Sequence, residues 1–126
     1  MKTFYIIFLS LFLSVENCFS QNASLAAFYL NKLPREGVLL DKDWKFLAGD
    51  NPAYANSAYD DGAWETINPT LDIYDLAQIP DSGVVWFRLH LLIDTSLDRQ
   101  LALVIQQSGA SEIYLDGQLI HRFGVL

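Results

Sequence analysis

The sequence predicts an all-β fold, an antiparallel β-sandwich, and three observations carry that expectation. Beyond Glu36 the apolar residues fall in short runs rich in Val, Ile, Leu, Trp, Phe and Tyr. Clusters of Asp, Asn, Gly and Pro separate those runs, the residue types that end extended segments in turns. No stretch after residue 36 has the length and spacing of a helix.

The first twenty residues stand apart. Lys2 precedes an apolar run from Phe4 to Val15, followed by Glu16, Asn17 and "CFSQN". This is the layout of a secretory signal peptide over residues 1–20, with Cys18 and Ser20 as the small residues before a cleavage after Ser20. The run is shorter than the roughly 20 residues that span a bilayer. An uncleaved membrane anchor and a lipid on Cys18 are the alternatives, the second opposed by Glu16 and Asn17. Cleavage removes the only cysteine, so the exported chain is expected to hold its fold without a disulfide. Residues 21–35, "QNASLAAFYLNKLPR", read as a leader or a short helix packed on a domain over 36–126.

Within that domain "GVLLD" and "DWKFLAG" read as two strand-like pieces. "GDNPAYANSAYDDGAW" is a polar connection too rich in turn formers for a strand or stable helix. "WETINP" is a short strand, and "TLDIYDLAQIPDSG" is a connection apolar enough to lie over the core. Residues 84–94, "VVWFRLHLLID", form the clearest strand, with Val85, Phe87, Leu89, Leu91 and Ile93 on one face. Trp86, Arg88, His90 and Leu92 occupy the other face, which is either solvated at its ends or lines a binding surface. "LALVIQQSG" reads as a central strand buried on both faces.

The run closes with "SEIYL" and "QLIHRF" around Asp116 and Gly117, which signals a hairpin, because a two-residue type I′ turn needs positive φ at both central positions. A two-residue loop sets Leu115 opposite Gln118, Tyr114 opposite Leu119, Ile113 opposite Ile120 and Glu112 opposite His121. Ile113, Leu115 and Ile120 then share a core face, and Glu112 with His121 is a cross-strand pair.

The order "DWKFLAGD", "YDDGAWETINP", "GVVWFRLHLLID", "LALVIQQSGASEIYLDGQLIHRFG" resembles the galactose-binding-like jelly-roll domain at the N-terminus of many glycoside hydrolases related to β-galactosidases. The resemblance covers residues 38–124. Trp44, Asp60, Asp61, Trp64, Trp86, Phe87, Arg88, Tyr114, Asp116 and Gly117 stand at its motif positions. The wording of "WFRLHL" and of the hairpin is also similar to the exported sensor domain of bacterial membrane signalling proteins, among them sensor histidine kinases. The resemblance implies a non-catalytic module that recognises a carbohydrate or another small molecule. Its alternatives are an accessory sugar-binding domain of a glycoside hydrolase and a β-sandwich that binds protein. It further implies strands beyond "FGVL", so the chain is expected to be the N-terminal part of a longer polypeptide, joined to a membrane only through that further sequence or an uncleaved signal.

Individual residues read as structural before they read as chemical. Asp60 and Asp61 fix the turn that delivers Trp64 to the core, and Trp44 and Trp86 wedge two sheets together. Arg88, amid apolar neighbours, needs an anionic partner, and the Asp60–Asp61 turn is the candidate. Glu112 and Asp116 lie too far apart along one strand, at ~3.3 Å per residue, for the paired carboxylates of a retaining glycosidase. His90 and His121 lack further ligands at zinc spacing. No cofactor is expected, a structural calcium at Asp43, Asp50, Asp60 and Asp61 being the one candidate ion. The net charge of −7 gives no electrostatic case for nucleic acid. No ligand-binding residue is legible, because recognition in such folds sits on loops.

Overall fold

A computed structural model describes residues 26–97, 100–107 and 109–125. The signal segment 1–20 and the first part of the 21–35 segment lie outside the described residues. The described chain is mainly β, with strands β1 (Phe28–Leu30), β2 (Trp44–Ala48), β3 (Glu65–Ile67), β4 (Val85–Leu89), β5 (Leu91–Ile93), β6 (Ser111–Leu115) and β7 (Gln118–Phe123). Single 3-10 turns at Pro52–Ala55 and Ile73–Asp75 are its helical pieces, and no described helix is long and apolar enough to cross a membrane.

The strands form three small sheets. The central one has the order β3-β2-β4, antiparallel throughout. Phe46, in the middle of β2, pairs with Glu65 on one side and Phe87 on the other. Phe46, Ile67 and Leu76 form the buried core cluster, and Trp44, Ile79 and Val85 pack against it. Leu76 and Ile79 belong to the 70–83 connection, whose apolar residues do come over the core, while Leu71, Ile73 and Tyr74 stay exposed. Trp44 is held in place by its indole, which donates to the Leu40 carbonyl at 2.8 Å.

β4 and β5 correct the expectation of one strand over 84–94. The ladder breaks at His90: β4 pairs with β2, and β5 leaves that sheet to pair with β1. Leu91 and Ile93 therefore do not extend the core face, and β5 is exposed along its length. β1 is likewise a strand where a short helix was one expectation, with Phe28 and Leu30 buried and Tyr29 exposed. Its pairing with β5 is parallel, a departure from the all-antiparallel expectation. The physical reason is the reach of β5 beyond β2, which leaves open backbone groups for a second partner.

Two other expected strands are absent. Residues 37–41 run without strand pairing, and Leu40 serves Trp44 through its carbonyl. Residues 101–107 do not form the doubly buried central strand, since no described strand flanks them. Leu103, Val104 and Ile105 are exposed instead.

The β6–β7 hairpin turns at Asp116 (φ 48°) and Gly117 (φ 82°), the two positive angles a type I′ turn needs. Its first two pairs, Leu115 with Gln118 and Tyr114 with Leu119, follow the simple register. A bulge then shifts the register so that Ile113 faces His121, Glu112 faces Arg122 and Ser111 faces Phe123. Ile120 is the extra residue, as in β-bulges generally, where two residues oppose one. The shift overturns the Glu112–His121 pair. Ile113, Leu115 and Ile120 do not make a closed core face either: Leu115 and Ile120 are exposed, and Ile113 and Ile120 line an open cleft of about 310 Å³ with Leu103, Ile105, Gln107 and His121.

Candidate functional site: a loop clamped on the second face of the central sheet

Alternation along β4 sends Val85, Phe87 and Leu89 to one face and Trp86 and Arg88 to the other. The 51–64 connection folds over this second face. Its backbone turns have few ladder partners, so their carbonyls need donors from elsewhere. Arg88 supplies them. Its Nη1 donates to the Tyr59 carbonyl at 3.0 Å, and Nη2 donates to the Asn56 carbonyl at 3.0 Å and to the Tyr54 carbonyl. The planar guanidinium, with five donors in a fixed fork, is the side chain suited to holding several carbonyls at once.

Asp61 completes the arrangement. It is buried at 4% exposure, its Oδ2 lies 3.7 Å from Arg88 Nη1, and it accepts from His90 Nε2 at 2.7 Å. One carboxylate thus faces a guanidinium from β4 and an imidazole from the β4–β5 junction. Asp60, its neighbour, points away and accepts the Gly62 N–H at 2.9 Å. Asn51 and Asn56 make the same short side-chain turn, to Ala53 N–H and Ala58 N–H. The loop is fixed locally by these three side chains and globally by Arg88.

Aromatic rings pack around the clamp. The Arg88 guanidinium lies 5.1 Å from the Trp64 ring centre and 5.8 Å from that of Tyr59. Tyr54 meets both Trp64 and Trp86 edge-on, at 5.3 and 5.9 Å. Trp86 also stacks at a tilt on Tyr114, at 5.5 Å, which brings the hairpin to this face. The buried Trp86 Nε1–H has no acceptor among the described residues. At the hairpin tip the space is tight: a β-carbon on Gly117 would sit 3.4 Å from the Ala55 carbonyl oxygen.

Of the residues singled out in the sequence, Asp61, Trp64, Trp86, Arg88 and Tyr114 meet here, with Asp116 and Gly117 at the margin. Trp44 lies on the opposite face of the sheet and does not take part. Trp64 is buried, but among Tyr54, Tyr59 and Arg88 rather than in the Phe46 cluster. Tyr54 and Tyr59 were not anticipated as members; His90 was placed on the face of Trp86 and Arg88, though not as a partner of Asp61. His90 had a signal, since it stands two residues after Arg88 and so projects from the same side of the strand. Asp43, Asp50, Asp60 and Asp61 were considered for calcium; among the described residues no three acidic, His or Cys side chains converge as a metal site.

Two further carboxylates are engaged elsewhere. Glu112 accepts from the Tyr114 hydroxyl at 2.6 Å and pairs with Arg122 Nη2 at 2.6 Å. The Tyr114 hydrogen bond, helped by the Arg122 charge, holds the Glu112 carboxyl below the usual carboxylate range and raises the Tyr114 phenol. Tyr29 on β1 donates to Asp94, just past β5, at 2.6 Å. That bond, with Ser96 adding to it, lowers the Asp94 carboxyl to about 2.

A pH dependence follows at the β1–β5 junction. Because the folded pKa of Asp94 lies below its unfolded one, the contribution is full above the ordinary carboxylate pKa and is lost as pH falls towards 2. Acid titration of the folded chain followed by NMR at the Ser96 amide is expected to have its midpoint near the lowered Asp94 value of about 2. Tyr29→Phe removes the largest cause and shifts that midpoint upward. An unchanged midpoint in Tyr29→Phe would show that the hydroxyl does not set the Asp94 carboxyl.

Compared with protein-family models, with curated proteins and with solved structures, the chain finds no match.

Proposed function

We propose that the chain is a non-catalytic, exported recognition module built on a galactose-binding-like β-sandwich, serving as the extracytoplasmic sensor portion of a bacterial membrane signalling protein. Its ligand is a carbohydrate or another small polar molecule, bound without a cofactor. The observation that carries this reading is the Arg88 clamp. A polar loop held at three carbonyls on a rigid strand is pre-ordered, and a pre-ordered loop loses little conformational entropy when a ligand arrives. Loop residues Asn51, Asn56, Ser57 and Asp60 are exposed and offer amide, hydroxyl and carboxylate groups of the kind that pair with sugar hydroxyls. The acidic groups nearest to acid–base chemistry are engaged with fixed partners, Asp61 with Arg88 and His90 and Glu112 with Tyr114 and Arg122, which supports binding over catalysis.

A glycan array on the purified chain tests the reading. Binding within at least one of the galactoside, glucoside and uronic-acid sets is expected, with a weaker signal for Ser57→Ala, which leaves both the Arg88 clamp and the side-chain turns of the loop in place. A blank array across all three sets removes the carbohydrate proposal.

A further inference from the structure

We propose that Asp61 and His90 form a mechanical joint that couples the conformation of the 51–64 loop to the seating of the N-terminal strand β1. The coupling goes beyond ligand recognition, since it needs no ligand identity and rests on a continuous series of contacts. On the loop side, the Asp61 carbonyl accepts the Trp64 N–H at 3.0 Å, and its carboxylate faces the guanidinium that holds Tyr54, Asn56 and Tyr59. At the joint, the same carboxylate accepts from His90 Nε2 at 2.7 Å. On the strand side, the His90 carbonyl accepts the Phe28 N–H at 2.8 Å, the first bond that seats β1.

His90 is also where the chain changes sheet. Before it, β4 belongs with β2; after it, β5 belongs with β1. At this junction the His90 side chain reaches the loop through Asp61, two residues along the chain beyond Arg88 of the clamp. A shift of Asp61 therefore pulls on His90 and tilts the β1–β5 pair, and a shift of β1 pulls back on the loop. Coupling of this kind is reciprocal by thermodynamic necessity. β1 and β5 are three residues each, paired only with one another, so they belong to the low-stability part of the molecule and open locally before the central sheet does.

Hydrogen exchange on the full chain tests the joint with three variants. His90→Phe keeps bulk at a partly exposed position and removes the bond to Asp61. It is expected to speed exchange at the Phe28 and Asp94 amides by roughly tenfold, and at the Trp64 and Tyr59 amides by about threefold or more, while the Phe46 and Leu47 amides of the central sheet hold their rates. His90→Gln, whose amide can donate to Asp61, is expected to restore both ends. Asp61→Asn disturbs the joint from the loop side and is expected to reach the Phe28 amide as well. Unchanged loop amides in His90→Phe overturn the coupling. Equal acceleration at Phe46 and Leu47 overturns it too, because that is a general loss of stability with no joint in it.

Discussion

Arg88→Ala is expected to lose about 3–5 kcal/mol of folding stability, the range seen when one partner of a buried charge pair is removed. Arg88 is 12% exposed in its side chain and Asp61 4%, so solvent does little to screen or replace the interaction. Without the guanidinium, the carbonyls of Tyr54, Asn56 and Tyr59 lose a donor, and Asp61 keeps His90 alone. Each partly buried carbonyl left unpaired is itself unfavourable. Because natural domains are stable by only about 5–15 kcal/mol, the variant sits close to its unfolding limit at room temperature. Thermal unfolding followed by circular dichroism is the measurement, with about 4–8 °C expected per kcal/mol in a domain of this size. Arg88→Lys should recover little, since a single ammonium cannot reproduce the planar fork. A melting temperature retained in Arg88→Ala would show that the clamp holds nothing that matters to the fold.

Trp64→Ala is expected to be nearly as damaging, at about 3–5 kcal/mol, through loss of a buried ring and the cavity that follows. Trp64 is 6% exposed and has Tyr54 and Tyr59 rings within 6.0 Å of its own. It also forms the seat of the Arg88 guanidinium. The two substitutions therefore should not add. The double variant is expected to lose about 1–2 kcal/mol less than the sum of the singles, the signature of groups that share an interaction. Urea unfolding of the four proteins gives that difference directly. Strict additivity would mean that Trp64 contributes only its own packing, independent of the clamp.

Both effects were only half visible in the sequence. The need of Arg88 for an anion could be read from its setting among apolar residues, and the Asp60–Asp61 turn was the natural candidate. Which of the two acids would turn inward could not be read, because local geometry decides it: Asp60 closes a short turn on Gly62, and that leaves Asp61 to point at the strand. Carbonyl acceptors carry no residue identity at all, so Tyr54, Asn56 and Tyr59 left no trace of their role. The mainly-β character, β2, β3 and the Asp116–Gly117 turn were legible because alternation and turn chemistry are properties of neighbouring residues. β1 was not, since its formation depends on a partner at Leu91–Ile93, half the chain length away. Residues 101–107 show the converse: strand-forming side chains alone do not make a strand without a flanking partner. The hairpin register failed for a similar reason, as nothing in "QLIHRF" announces that Ile120 is skipped.

That single skipped residue decides which side chain meets Glu112. With Ile120 looped out, the partner is the guanidinium of Arg122, at 2.6 Å; in an unbulged ladder it would be the imidazole of His121. Deleting the codon for Ile120 would remove the bulge and still leave Glu112 opposite Arg122, whereas straightening the ladder with Ile120 retained would bring His121 to Glu112 and swap the two sides of the outer half of β7. Substitutions that remove the bulge while keeping its extra residue, rather than loss of that residue, are therefore the changes that would rewire this hairpin.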